Sequence, residues 1–180
     1  MNTLSPIVRN AGEGDRQSFA GGGLHIWKLL AEETDGAFFL FEDTMAKGKT
    51  TPLHIHPEAH EMTYVIDGEI EVEIDGTRSR VGSGGMSFTP KGVPHAFIVV
   101  SEHARIIAIQ TPGGPGQEFF LAASDRADND GVDAIDAIDA IDPIDAIDNV
   151  DIFRLQASAA ANPRGITLLG PPPFAAEPAR

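Results

Sequence analysis

Between residues 24 and 111 apolar side chains recur in short runs, each closed by glycine, proline or aspartate. The clearest is EIEVEID at 69–75. Its strict alternation puts Ile70, Val72 and Ile74 on one face and carboxylates on the other, the period of a strand with one wet side. The same reading predicts strands over 24–30, the Phe-rich 37–45, 62–67, 77–81, 86–89, 95–101 and 105–111, with turns at Gly68 and Gly76. Many short strands punctuated by Gly and Pro predict an all-β sandwich or barrel. No Gly-rich turn opens a helix, so a nucleotide-binding fold is not expected. Residues 1–23 hold Gly12, Gly14 and the Gly21–Gly23 run and read as an irregular arm.

After Pro112 the pattern changes. The run TPGGPG closes the strand-rich part, and 117–123 fits a helical turn or two. From Val132 to Val150 a β-branched apolar residue then recurs every third position, each followed by Asp. A period of three matches neither 3.6 nor 2, so the isoleucines would drift around an α-helix, and Pro143 interrupts any helix. Residues 124–152 read as an acidic Ile-Asp-Ala insert. Three readings stay open for it: a flexible or loosely helical insert, an ordered helix on the strand-rich part, or a metal- or partner-binding tail. The insert lacks the Gly and closing Glu of an EF-hand loop. Residues 153–180 form a tail in which 166–169 can add an edge strand, stopped by three prolines.

Composition narrows the function. The chain has 180 residues, the size of one domain with additions. It carries 27 acidic against 13 basic residues, a formal net charge of −14, which argues against nucleic acid and against anionic membranes as partners. Cysteine is absent, which excludes disulfide, thiolate and Cys-based zinc or iron–sulfur chemistry. The N-terminal MNTLSPIVRNAGEGD is too polar for a signal peptide, and no apolar run reaches membrane-spanning length, so a cytoplasmic location is expected.

Candidate chemistry is concentrated at residues 54–61, where His54, His56 and His60 are followed by Glu61. If 53–56 are extended, His54 and His56 share a face. A turn at 57–59 can return Glu61 to the same place. His95, opening HAFIVV after PKGVP, is the obvious distant partner. Two imidazoles and a carboxylate suit a borderline metal. His60 reads as an outer support, a surface residue, or a ligand in place of Glu61. His25 and His103 read as surface residues. Tyr64, Met86, Phe88 and Phe97, with Met62 and Ile109, are candidate pocket walls.

These residues resemble the two motifs of the cupins. The first is complete here as Gly48, KTTPL, His54-Ile-His56, PEAH, Glu61, MTYVID, Gly68. The second reads Gly84, GMSFT, Pro90-Lys-Gly92, VP, His95, AFI, then Val99 where the family has Asn. The stretches FFLFEDTM, HIHPEAHE and FTPKGVPHAF are similar to single-domain cupins of the quercetin dioxygenase-like kind. The resemblance spans residues 38–111. It implies a double-stranded β-helix, that is, a jelly-roll barrel, over 24–123, with a short helical or irregular C-terminal extension.

The resemblance also implies metal ligands at His54, His56, Glu61 and His95, holding one divalent transition metal (Fe, Mn, Ni, Co, Cu or Zn). The reaction it implies first is a metal-dependent dioxygenation of a small aromatic or enol substrate, with Glu61 doubling as the catalytic base and dioxygen as co-substrate. Two alternatives stand beside it. One is a non-redox isomerase or decarboxylase, which needs a further acid or base that the sequence does not place. The other is a non-catalytic metal- and ligand-binding module. Open strand edges that a second copy can cover make a homodimer the expected assembly.

Overall fold

The structure, a computed structural model, describes residues 4–126 and 151–174. Strands β1 (Asp15–Phe19), β2 (Leu24–Leu29), β3 (Phe39–Ala46) and β4 (Leu53–Ile55) come first, with a 3₁₀ turn at Ala31–Thr34. Then follow β5 (His60–Ile74), β6 (Thr77–Gly82), β7 (Met86–Thr89) and β8 (His95–Thr111). Helix α1 (Gly114–Ala122), β9 (Ser124–Arg126), helix α2 (Ile152–Ala161) and β10 (Thr167–Gly170) complete it. The expectation about the repeat at 132–150 lies outside the described residues. No helix among the described residues is long and apolar enough to cross a membrane.

All ten strands join one antiparallel sheet along the path β10-β4-β8-β3-β2-β1-β9, with β5 also on β8 and carrying β6 and β7. The strand order is that of a jelly roll, but the expected barrel is not formed, because the sheet does not close on itself. The path ends at β10 and at β9, and β6 and β7 pair with β5 alone. The open ends have a local cause. β9 has three residues, β10 four and β7 four, and Pro90 and the prolines at 171–173 end β7 and β10 by withholding backbone donors. The expected short helical extension is present as α1 and α2.

Two long strands replace four short ones. Gly68 is not a turn but a bulge inside β5, where the register against β8 shifts. Its φ is +80°, and a Cβ there would lie 2.2 Å from the His103 carbonyl oxygen. The polar stretch at 101–104 likewise stays in β8, because Ala104 pairs with Gly68 and Ser101 Oγ accepts from the Glu69 N–H at 2.8 Å. The N-terminal part of β8 pairs with β5 and meets β4 at His54↔His95, and its C-terminal part lies between β5 and β3. One strand thus carries the second motif at one end and borders the first motif along its length. Residues 15–19, read as part of an irregular arm, form β1.

The alternation of β5 behaves as its sequence suggests. Ile70 and Val72 are buried with Met45, Val65, Val99 and Ile106. Glu69, Glu71 and Glu73 face Arg78 and Arg80 of β6, with Arg78–Glu73 at 3.0 Å and Arg80–Glu69 at 3.1 Å. Such half-exposed pairs contribute about 0.2–1 kcal/mol each. Burying each apolar side chain contributes about 1.5–3 kcal/mol, so packing rather than charge fixes the register. A second core joins Trp27, Phe39 and Phe41 to Phe120 of α1, and a third packs Phe119, Leu155, Ala159 and Ile166 where α1, α2 and β10 meet. Asp151 caps α2 by accepting the Arg154 N–H at 2.9 Å.

Two glycine substitutions test the bulge. Gly68→Ala should destabilise the protein in urea melts clearly more than Gly76→Ala. Gly76 also has positive φ but meets nothing within 4 Å, so Ala there should cost only the left-handed penalty, about 1–2 kcal/mol. Equal losses would mean that the approach to His103 is not tight.

Candidate metal centre

The first motif builds one side of the site. Pro52 and the three-residue β4 hold 53–55 extended, so His54 and His56 lie two positions apart on one face. β5 begins at His60, which places Glu61 at its second position. His95 opens β8 directly opposite His54. The ring centroids lie 5.0 Å apart for His54–His56, 4.2 Å for His54–His95 and 5.2 Å for His56–His95. All three histidines are buried, and one nitrogen from each lies within 4.8 Å of the others, a set that can hold a metal ion.

Backbone carbonyls orient each ring. His54 Nδ1 lies 2.8 Å from Pro52 O, His56 Nδ1 2.7 Å from Gly165 O and His95 Nδ1 2.9 Å from Val93 O. A carbonyl oxygen only accepts, so each Nδ1 carries the proton and donates it. Each Nε2 is left with a lone pair. That is the tautomer a metal requires.

Glu61 enters the same cluster. Its Oε2 lies 3.0 Å from His56 Nε2 and its Oε1 3.5 Å from His95 Nε2. Burial pushes the Glu61 pKa up, but His56 and His95 outweigh that and hold it well below the usual carboxylate range. Burial, then the neighbouring His95 and His56, push His54 well below the usual imidazole value. For His95 the facing Glu61 carboxylate outweighs burial, and the pKa is raised. Three imidazole lone pairs and a carboxylate converging in a buried place are an excess of acceptors. Moreover, His95 Nε2 is buried with no hydrogen-bond partner. A cation among them relieves both problems, so the donor set fits one divalent metal of unspecified identity.

Gln110, unmarked by either motif, is fully buried beside the cluster. It lies opposite Glu61 in the β5–β8 register. Its amide Nε2 donates to Glu61 Oε2 at 2.8 Å and lies 2.9 Å from His56 Nε2. Gly116 of α1 makes room for it, since a Cβ there would lie 1.9 Å from Gln110 Oε1. The signal was present in the sequence, because Ile106, Ala108 and Gln110 alternate inward along β8 and only the last is polar.

Of the readings left open for His60, the structure favours a place outside the histidine triad; its Nδ1 accepts the Lys91 N–H at 3.2 Å and its ring stacks on Phe88. Other expectations need correcting. Tyr64, Met86 and Phe88 are 43%, 52% and 53% exposed and are not pocket walls, because β5 and β7 turn that face outward. Phe97 does line the cavity beside His54 and Glu61, together with Phe19, Phe41, Phe119 and Phe120. His25, expected on the surface, is 1% exposed and sandwiched between Phe19 and Phe41. The cavity has an accessible volume of about 60 Å³, room for a few waters or a small group.

A family model described as cupin domain matches residues 41–110. Quercetin 2,3-dioxygenase of Bacillus subtilis (strain 168) is 31% identical over 110 residues, 60% of this chain and 32% of that protein. Polyketide synthase CurC of Streptomyces cyaneus is 30% identical over 118 residues, 64% of this chain and 75% of that protein. The chain thus spans about a third of the Bacillus protein and three quarters of the Streptomyces one. Among solved structures, KdgF from Halomonas sp. superposes with a TM-score of 0.56 at 18% identity over 61% of this chain and 96% of that one, a likeness of fold.

Elemental mass spectrometry of protein never exposed to chelator should find one divalent metal per chain, and His56→Ala and His95→Ala should each lose it. Unchanged metal content in both variants would refute the site. Gln110→Leu should keep the metal but weaken its binding about tenfold, measured by chelator competition, because the Glu61 carboxylate loses a donor.

Proposed function

The chain belongs to the cupin superfamily, and on that premise we propose that it is a metal-dependent enzyme that moves protons on a small carbonyl- or enol-bearing substrate without net oxidation. The observation that carries this reading is an ionised carboxylate, Glu61, held beside the histidine triad in the wall of an apolar cavity. A divalent metal on His54, His56 and His95, with Glu61 as a further ligand, would supply Lewis acidity toward a substrate oxygen.

The chain's own residues do the rest. Gln110 donates to Glu61 Oε2 at 2.8 Å and engages that oxygen. Oε1, with only His95 at 3.5 Å, is the atom free to take a proton from a carbon next to a carbonyl. The C–H bond breaks, its electron pair stays on the substrate as the enolate, and the proton rests on Oε1 until it returns to another position. The product is an isomer, and no oxidant is consumed. The aromatic side chains of the cavity exclude water while this happens. The Streptomyces relative named a polyketide synthase, three quarters of which the chain covers, is in keeping with an enolisable ketone as substrate.

A dioxygenase reading is the second candidate, favoured by the 31% identity to quercetin 2,3-dioxygenase over a third of that protein. The two separate cleanly. Protein loaded in parallel with zinc, manganese or iron is incubated with small oxo acids, from 2-oxo acids to 4-oxopentanoate, in D₂O and with flavonols in an oxygen electrode cell. Deuterium incorporation with zinc as well as with the redox-active metals, and no oxygen uptake, is the expected result. Oxygen uptake confined to redox-active metals, without exchange on zinc, would replace this reading with the dioxygenase.

A further inference from the structure

The cavity that holds His54 and Glu61 has a second charged group in its wall, Lys49, one residue after the first glycine of the first motif. A lysine that is 3% exposed is rare unless paired. Its partner is Asp43 on β3, with Nζ 3.2 Å from Oδ2. The other neighbours of Nζ are weak: the Met45 thioether sulfur at 3.3 Å and the face of Phe97, its ring centroid 4.7 Å away. An ammonium has three donors, and among the described residues one of them meets an oxygen, that of Asp43.

Asp43 is itself incompletely served. The same Oδ2 faces His25 Nε2 at 3.5 Å, while Oδ1 is buried without a partner. The cluster shares the cavity with the metal centre: Phe97, whose face Lys49 covers, lies two positions along β8 from His95, and Asp43 and Glu61 pair with Ile106 and Gln110 of the same strand.

We propose that Lys49 is the specificity-determining cation of the cavity, donating a hydrogen bond to an anionic oxygen of a substrate whose carbonyl end lies at the histidine triad. The substrate class is then a small oxo acid with its carboxylate set several bonds from the reacting ketone, in an otherwise apolar surround. Asp43 is a positioning residue that holds the ammonium against Phe97. The assignment deepens the proton-transfer reading and rests on the same cavity, but it concerns binding, so the two can fail separately.

The probes are 4-oxopentanoate and its neutral isostere 4-oxopentanamide, titrated by calorimetry into the zinc-loaded protein. The parent protein should bind the carboxylate at least about tenfold more tightly, as a charge-assisted hydrogen bond from a buried donor requires. Lys49→Met should abolish that preference while zinc content and amide affinity stay at parental values. Should Lys49→Met misfold because Asp43 is left unpaired, the double variant Asp43→Asn/Lys49→Met removes both charges together and should show the same loss of preference. Persistence of the preference in a folded variant overturns the assignment. So does its absence in the parent protein, whether through equal binding or none. An ion pair that only braces β3 would lower the melting temperature on substitution and leave the preference intact. Loss of proton exchange with the preference intact would instead sink the reaction and keep the binding role.

Discussion

Three hydrogen bonds from imidazole Nδ1 to backbone carbonyls are the constraint on which the centre depends. A free imidazole can place its proton on either nitrogen. Pro52, Val93 and Gly165 remove that choice, because a carbonyl offers only lone pairs. Once each Nδ1 is committed, three Nε2 lone pairs converge with Glu61 in a place water does not reach freely. Every neighbouring feature answers to that crowding. Gln110 donates into it, Gly116 yields space for Gln110, and the pairing of His54 with His95 ties the two motifs together.

The sheet is organised around the same requirement. β5 and β8 are long because each must serve the buried apolar core and the site at once. Glu61 sits at one end of β5, and Ile70 and Val72 of the same strand fill the core. Bulges at Val65/Asp67 and Gly68/Ile70 absorb the change of direction. Strands of this length would otherwise twist out of contact with their partners. Closure is not needed for the site, and the sheet stops where short strands and prolines stop it.

The ligand types and their spacing were legible in the sequence because a metal needs particular donors, and those are few enough to stand out. The charged wall was less legible for a definite reason. Asp43 and Lys49 fall where Phe and Met neighbours suggest an ordinary strand and its loop, and pairing them requires knowing which face of β3 is inward. With Phe39, Phe41 and Met45 inward, parity alone puts Asp43 inside. The same ambiguity of face sent Tyr64, Met86 and Phe88 to the wrong side. Their strands were predicted, but a strand assignment does not say which half is buried. Barrel closure failed as an expectation for another reason. It depends on pairing between edges far apart in sequence, and no local pattern encodes it.

The bond from His56 to Gly165 spans 109 positions, and this has a consequence for how the protein matures. At a synthesis rate of about 5–20 residues per second, His56 leaves the ribosome roughly 5–20 s before the carbonyl that fixes its tautomer exists. In that interval the imidazole is free to present either nitrogen. The orientation of the His56 ring is therefore fixed only once the chain has been made as far as Gly165, so the centre is completed by nearly the last part of the described chain.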